Sequence, residues 1–117
     1  MINVPWDLEE VIPLVDVCAR RESGELDGKN FTKELQRISL LLNRRADILG
    51  IVHDEKFRNY SGIRKQFYFR VLVAFTDGEK GSSNGHPREI DYQAVKLYRE
   101  KREVFNNMLN DFYQKYK

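Results

Sequence analysis

The chain has 117 residues, 41% of them hydrophobic, 12% aromatic and 32% charged, with a formal net charge of +2. That length accommodates a single domain (1–117) with a real core, and the apolar fraction excludes a disordered polyelectrolyte. No apolar run approaches the roughly 20 residues of a membrane span, and a lone cysteine, Cys18, excludes an internal disulfide framework.

The small net charge hides a segregation. Residues 1–28 carry seven acids against Arg20 and Arg21, residues 29–70 carry ten basic groups against four acids, and residues 71–117 carry eight against seven. Separated charge of this kind creates a local field that the net charge does not report. An anionic partner is therefore sought in the middle third. The opening "MINVPWDLEE" turns acidic without a positive region followed by an apolar stretch, which reads against secretion and for a cytoplasmic protein.

The first element is a helix. Asp7 and Glu10 have capping-box spacing, and Leu8, Val11/Ile12, Val15 and Cys18/Ala19 recur at helical intervals. Pro13 lies too deep for a first-turn position, so a kink or a later start is expected. Trp6 should fold back on this helix as an anchor, and Cys18 reads as a small core residue. "RRESGELDGKN" then makes an exposed connection with two glycines.

Asn30 or Thr32 begins a second helix, with Leu35, Ile38, Leu41/Leu42 and Ile48/Leu49 as its stripe and Gly50 as its stop. Arg37, Arg44 and Arg45 sit off that stripe. After "IVHDEKFRN", Ser61 or Asn59 caps a third helix whose inward face is Ile63, Phe67, Val71 and Ala74. "QFYFRVLVAF" also alternates as a strand would. The capping residues, and the lack of a partnering strand elsewhere, favour the helix. "TDGEKGSSNGHP" is a loop. Asp91 starts a helix with Ala94, Val95, Leu97 and Tyr98, and a last helix carries Phe105, Met108, Leu109, Phe112 and Tyr116. Whether these two are continuous through "REKRE" stays open. The sum is an all-α bundle of four to five helices, in which the second and third form a helix-turn-helix-like pair.

Chemistry is sparse. His53, His86 and Cys18 are too scattered for a metal site or a nucleophile–base pair. "DGEKGSSNG" lacks the Walker spacing, and the His53-Asp54-Glu55 triplet has no second carboxylate cluster to support nuclease work. The chain reads as non-catalytic, with no cofactor.

"KFRNYSGIRKQFYFR", from Lys56 to Arg70, holds five basic side chains and no acid. As a helix it would project Arg64, Lys65 and Tyr68 outward, with Gln66 and Arg70 on a flanking strip. Arg58, Asn59 and Ser61 would stand at its amino end, where free amides favour phosphate. This matches what a recognition helix needs: its first turns read base edges while flanking residues hold phosphates. Arg58, Arg64, Lys65 and Arg70 would contact phosphates or bases, Asn59 and Ser61 would fix the helix start, and Gln66 would read an adenine edge. Arg44 and Arg45 would lean on the backbone from the preceding helix, and Lys80, with Ser82 and Ser83, from the loop. About five neutralised phosphates would set a log–log salt slope of roughly −4.5. The rival reading is a protein–protein adaptor, docking through the same basic face or through the aromatic C-terminal helix with Phe105, Phe112, Tyr113 and Tyr116.

The order "PWDLEEVIPLVDVCARRESGEL", "KELQRISLLLNRR", "DEKFRNYSGIRKQFYF" and "GEKGSSN" resembles an N-terminal module of bacterial proteins that precedes HNH-type nucleases and other restriction or phage-defence effectors. "FRNYSGI", Phe57 to Ile63, carries the resemblance most distinctively. It implies a DNA-targeting role for Asn59 to Arg70, with double-stranded DNA and a fused or separate effector protein as partners and no membrane. No HNH catalytic residues are present, so any nuclease chemistry would belong to another segment or chain.

Overall fold

Asp7 sets the first helix. Its carboxylate accepts the Glu10 amide at 3.1 Å while the Glu10 carboxylate accepts the Asp7 amide at 3.2 Å, a complete capping box. The computed structural model describes residues 4–117, so residues 1–3 of the acidic opening lie outside the described residues. Helix α1 (Leu8–Glu22) starts at once, and Pro13 lies buried within it. The later start expected from Pro13 does not occur, because the two-way cap satisfies the end that begins before it. Val11, Ile12, Leu14, Val15, Val17 and Cys18 are all buried. A helix apolar around most of its circumference belongs in the middle, and α1 packs against every other helix.

Helix α2 (Gly28–Leu49) begins earlier than Asn30. Asp27 is its cap, accepting the Asn30 amide at 2.9 Å. It ends as its sequence demands, with Gly50 in the left-handed region at φ 71°. Residues 50–59 lead to a helix capped by Asn59, whose side chain accepts the Gly62 amide at 2.8 Å. Ser61 is not the cap. This helix, α3 (60–75), runs as Tyr60–Gln66 in α geometry, Phe67–Val71 as a π turn, and Leu72–Phe75 in α geometry again. The strand alternative for "QFYFRVLVAF" falls away. Ile63, Phe67, Val71 and Ala74 are buried, as the helical spacing requires.

The π turn has a tertiary partner. The Leu72 amide bonds the Phe67 carbonyl, five residues back, which frees the Tyr68 carbonyl it would otherwise take. The Ser82 amide from the loop donates to that carbonyl at 2.9 Å. Two glycines permit this approach. A Cβ on Gly81 would sit 2.7 Å from the Tyr68 carbonyl oxygen, and one on Gly85 would sit 2.6 Å from that of Phe69.

Helices α4 (Glu89–Glu100) and α5 (Arg102–Tyr116) are separate, interrupted at Lys101. Helix α4 begins before Asp91, which is the buried partner of Arg88 at 3.0 Å. The result is a five-helix bundle with no strand among the described residues, and none of their helices is long and apolar enough to cross a membrane. Helices α2 and α3 pack together. Their connection spans ten residues, against the three or four of a tight helix-turn-helix.

Candidate nucleic-acid interface

The acidic segment 1–28 and the basic segment 29–70 meet inside the fold. Arg58 forks onto Glu10, Nε to Oε2 at 2.7 Å and Nη2 to Oε1 at 3.1 Å, and also donates to the Val4 carbonyl at 3.1 Å. Its guanidinium lies 4.3 Å from the Trp6 ring and 4.4 Å from that of Phe57. Arg45 is 8% exposed and donates to Asp7 at 2.6 Å and to Glu9. Burial alone would lower the Arg45 pKa, but the hydrogen bonds to Glu9 and Asp7 more than reverse this and raise it. Glu9 also accepts the Tyr116 hydroxyl at 3.0 Å, so the cluster joins α1, α2, the segment before α3 and the end of α5. Two arginines expected to meet DNA are therefore structural. A buried carboxylate needs a cation, and these supply it.

Other expected contacts are also consumed. Arg70 donates to the His86 carbonyl, tying the loop to α3. Gln66 is half-buried and its Oε1 is buried with no hydrogen-bond partner among the described residues, so that oxygen is not presented to an adenine edge. Asn59 fixes the helix start, as expected, and spends its side chain there. Lys80 pairs with Glu22 at 2.5 Å on the surface. Such an exposed pair contributes about 0–1 kcal/mol and leaves the lysine able to exchange partners. Arg44 is exposed with no carboxylate partner among the described residues, but it lies about 18 Å along α2 from Thr32 by helical rise. The His53-Asp54-Glu55 triplet is local structure: His53 Nε2 meets Asp47 at 2.7 Å and Asp54 accepts the Lys56 amide at 3.0 Å.

What remains is one face of α3. Ser61, Arg64, Lys65, Tyr68 and Phe69 together line a shallow depression of about 130 Å³, their spacing placing them on one side of the helix. Ser61, Arg64, Lys65 and Phe69 are exposed, and neither Arg64 nor Lys65 has a carboxylate in ion-pair range among the described residues. Arg64 lies 5.1 Å from the Tyr68 ring. The face continues into an adjoining cleft of about 410 Å³, where Arg21 at the end of α1 and Thr32 near the start of α2 join Tyr60, Arg64 and Tyr68.

Arg21 and Thr32 were not singled out by the sequence. One signal was present: Arg20 has Asp16 one turn behind it, whereas Arg21 has Val17, so only Arg20 has a local partner on its own helix. A larger cleft of about 560 Å³ lies elsewhere, lined by Leu8 and α4 residues, where Lys96 and Glu100 pair with each other at 3.9 Å. The aromatic face of α5 is not an open surface, since Phe105, Phe112 and Tyr116 are buried. Set against protein-family models, curated proteins and solved structures, the chain matches none of them.

Proposed function

We propose that this chain is a double-stranded DNA-binding domain, non-catalytic by itself, that docks through the exposed face of α3 and targets a fused or separate effector of bacterial restriction or phage defence. The observation that supports it is the group of Ser61, Arg64, Lys65 and Tyr68 on one helix face, with both cations free of carboxylates among the described residues. Arg64 and Lys65 hold backbone phosphates or reach a guanine edge, Ser61 donates to a phosphate, and Tyr68 and Phe69 pack against sugar or base. The effector rests on the sequence resemblance alone. With Arg45 and Arg58 withdrawn into the fold, about three phosphates remain to be neutralised, by Arg21, Arg64 and Lys65, and the log–log salt slope falls to roughly −2.7. Fluorescence anisotropy of a random duplex at two salt concentrations tests this reading, and absence of binding at low salt rejects it.

A second reading is favoured by a different surface. Ile48 and Leu49, which their spacing placed on the inward stripe, are more than half exposed at the end of α2, as is Val52 just beyond it. An apolar group of this kind marks a protein contact, as an adaptor would need. Co-purification of an effector that is lost on Ile48→Asp, in a chain that does not bind duplex, would select it.

A further inference from the structure

The cleft between α1, α2 and α3 has a composition that the docking face alone does not require. Arg21 enters from the last turn of α1 and Arg64 from α3, and both guanidiniums lie on the Tyr68 ring, at 5.5 and 5.1 Å from its centre. Arg21 also lies 4.9 Å from the Phe31 ring and 5.8 Å from that of Phe67. It is thus a half-buried cation held by aromatic faces instead of by a carboxylate. Neither guanidinium donates a hydrogen bond to a described residue, so their planar N–H forks are free to take a ligand. The acids closest in sequence are already engaged: Glu22 with Lys80, Glu25 with Arg20, and Asp27 with the Asn30 amide.

We infer that this cleft is a binding site for a phosphate monoester, taken either from the 5′ end of a nucleic-acid strand or from a free nucleotide. Two guanidiniums match the charge of nearly −2 that a phosphate monoester carries at neutral pH, whereas an internal phosphodiester carries −1. Tyr60 and Tyr68 line the same space and bring phenolic hydroxyls to it, whereas the Thr32 hydroxyl already donates to the Gly28 carbonyl at 3.1 Å. Its volume, about 410 Å³, falls within the range of small-ligand sites and exceeds what a phosphoryl group fills, leaving room for the sugar.

Gly28 provides a variant that spares the fold. It is the first residue of α2, and a Cβ there meets nothing within 4 Å. Gly28→Asp places a carboxylate in the cleft at a position where helices favour an acid. Titrations of the amide NMR spectrum with inorganic phosphate, thymidine 5′-monophosphate and thymidine should show saturable shifts at Thr32 and Arg64 for the first two only. A duplex bearing 5′-phosphates should bind about tenfold more tightly than its 5′-hydroxyl counterpart if the strand end is the source. Thymidine 5′-monophosphate binding without that preference identifies the free nucleotide. Gly28→Asp should abolish all of these while the amide spectrum stays folded.

No saturable shift with either phosphate ligand and no 5′-phosphate preference overturns the inference, as does full binding by folded Gly28→Asp. The 5′-hydroxyl duplex separates the two proposals. Its binding without any phosphate-monoester effect leaves the docking reading standing and removes the cleft site, and the converse removes the docking reading.

Discussion

The Arg58 guanidinium forks onto the Glu10 carboxylate at 2.7 and 3.1 Å, with side chains 9% and 2% exposed. This contact fixes the segment entering α3 against the start of α1. Arg58→Ala leaves Glu10 charged and buried without its main cation and should cost about 3–5 kcal/mol. Urea denaturation checks it. A loss under about 1 kcal/mol would mean that the pair contributes no more than a surface bridge, and would return Arg58 to the candidate contact residues.

The loop from Thr76 to Pro87 holds the π turn in place through the Ser82 amide and the glycine contacts. Gly81→Ala combines a φ of +97° with a Cβ 2.7 Å from the Tyr68 carbonyl oxygen and 2.7 Å from Val73. It should destabilise the protein by about 1–3 kcal/mol, the cost of overpacking a tight contact. Gly78→Ala is the control: its φ of +86° carries backbone strain, but nothing lies within 4 Å of its Cβ. Equal melting temperatures for the two variants would show that the loop does not press on α3.

Cys18 is fully buried in α1, and burial pushes its thiol pKa well up. A thiol that is both protonated and enclosed is inert. Ellman's reagent should leave the native protein unmodified and react stoichiometrically in denaturing urea. Rapid labelling of the native state would contradict the central placement of α1.

His53 is set up to be charged. Its Nε2 meets Asp47 Oδ1 at 2.7 Å and its Nδ1 meets the Asp54 carbonyl at 3.1 Å, two acceptors that only the imidazolium satisfies together. The hydrogen bond to Asp47, followed by that to Asp54, raises its pKa above the ordinary 6.5. The folded state therefore holds the proton more tightly than the unfolded one. The resulting stability is fully present below pH 6.5 and is lost as pH rises through the folded value. His53→Gln should flatten the fall in melting temperature across that window, and an unchanged pH profile would reject the pairing.

The helices were legible because their signals are local. The Asp7 and Glu10 spacing, the glycine at 50 and the period of Ile63, Phe67, Val71 and Ala74 each lie within a few residues of what they specify. The Asp27 cap was obscured by the glycine that follows it, which reads as connection. The site was harder to read because charge compensation is not local. Arg45 finds Asp7 across 38 residues and Arg58 finds Glu10 across 48. A basic run with no acid in it still folded against acids from the other end of the chain. The same separation hid Arg21, whose surroundings are assembled from three helices.

Whether the exposed face of α3 holds duplex DNA is decided by a salt-dependent titration that compares the natural chain with the Arg64→Ala, Lys65→Ala double variant. Both residues are on the surface, so their loss should change stability by no more than about 0.5 kcal/mol, and circular dichroism melts will establish that. The natural chain should give a slope near −2.7, and each residue removed should take about one unit from it, with weaker binding to every sequence. Duplex affinity and salt slope unchanged in a folded double variant would contradict DNA docking on that face.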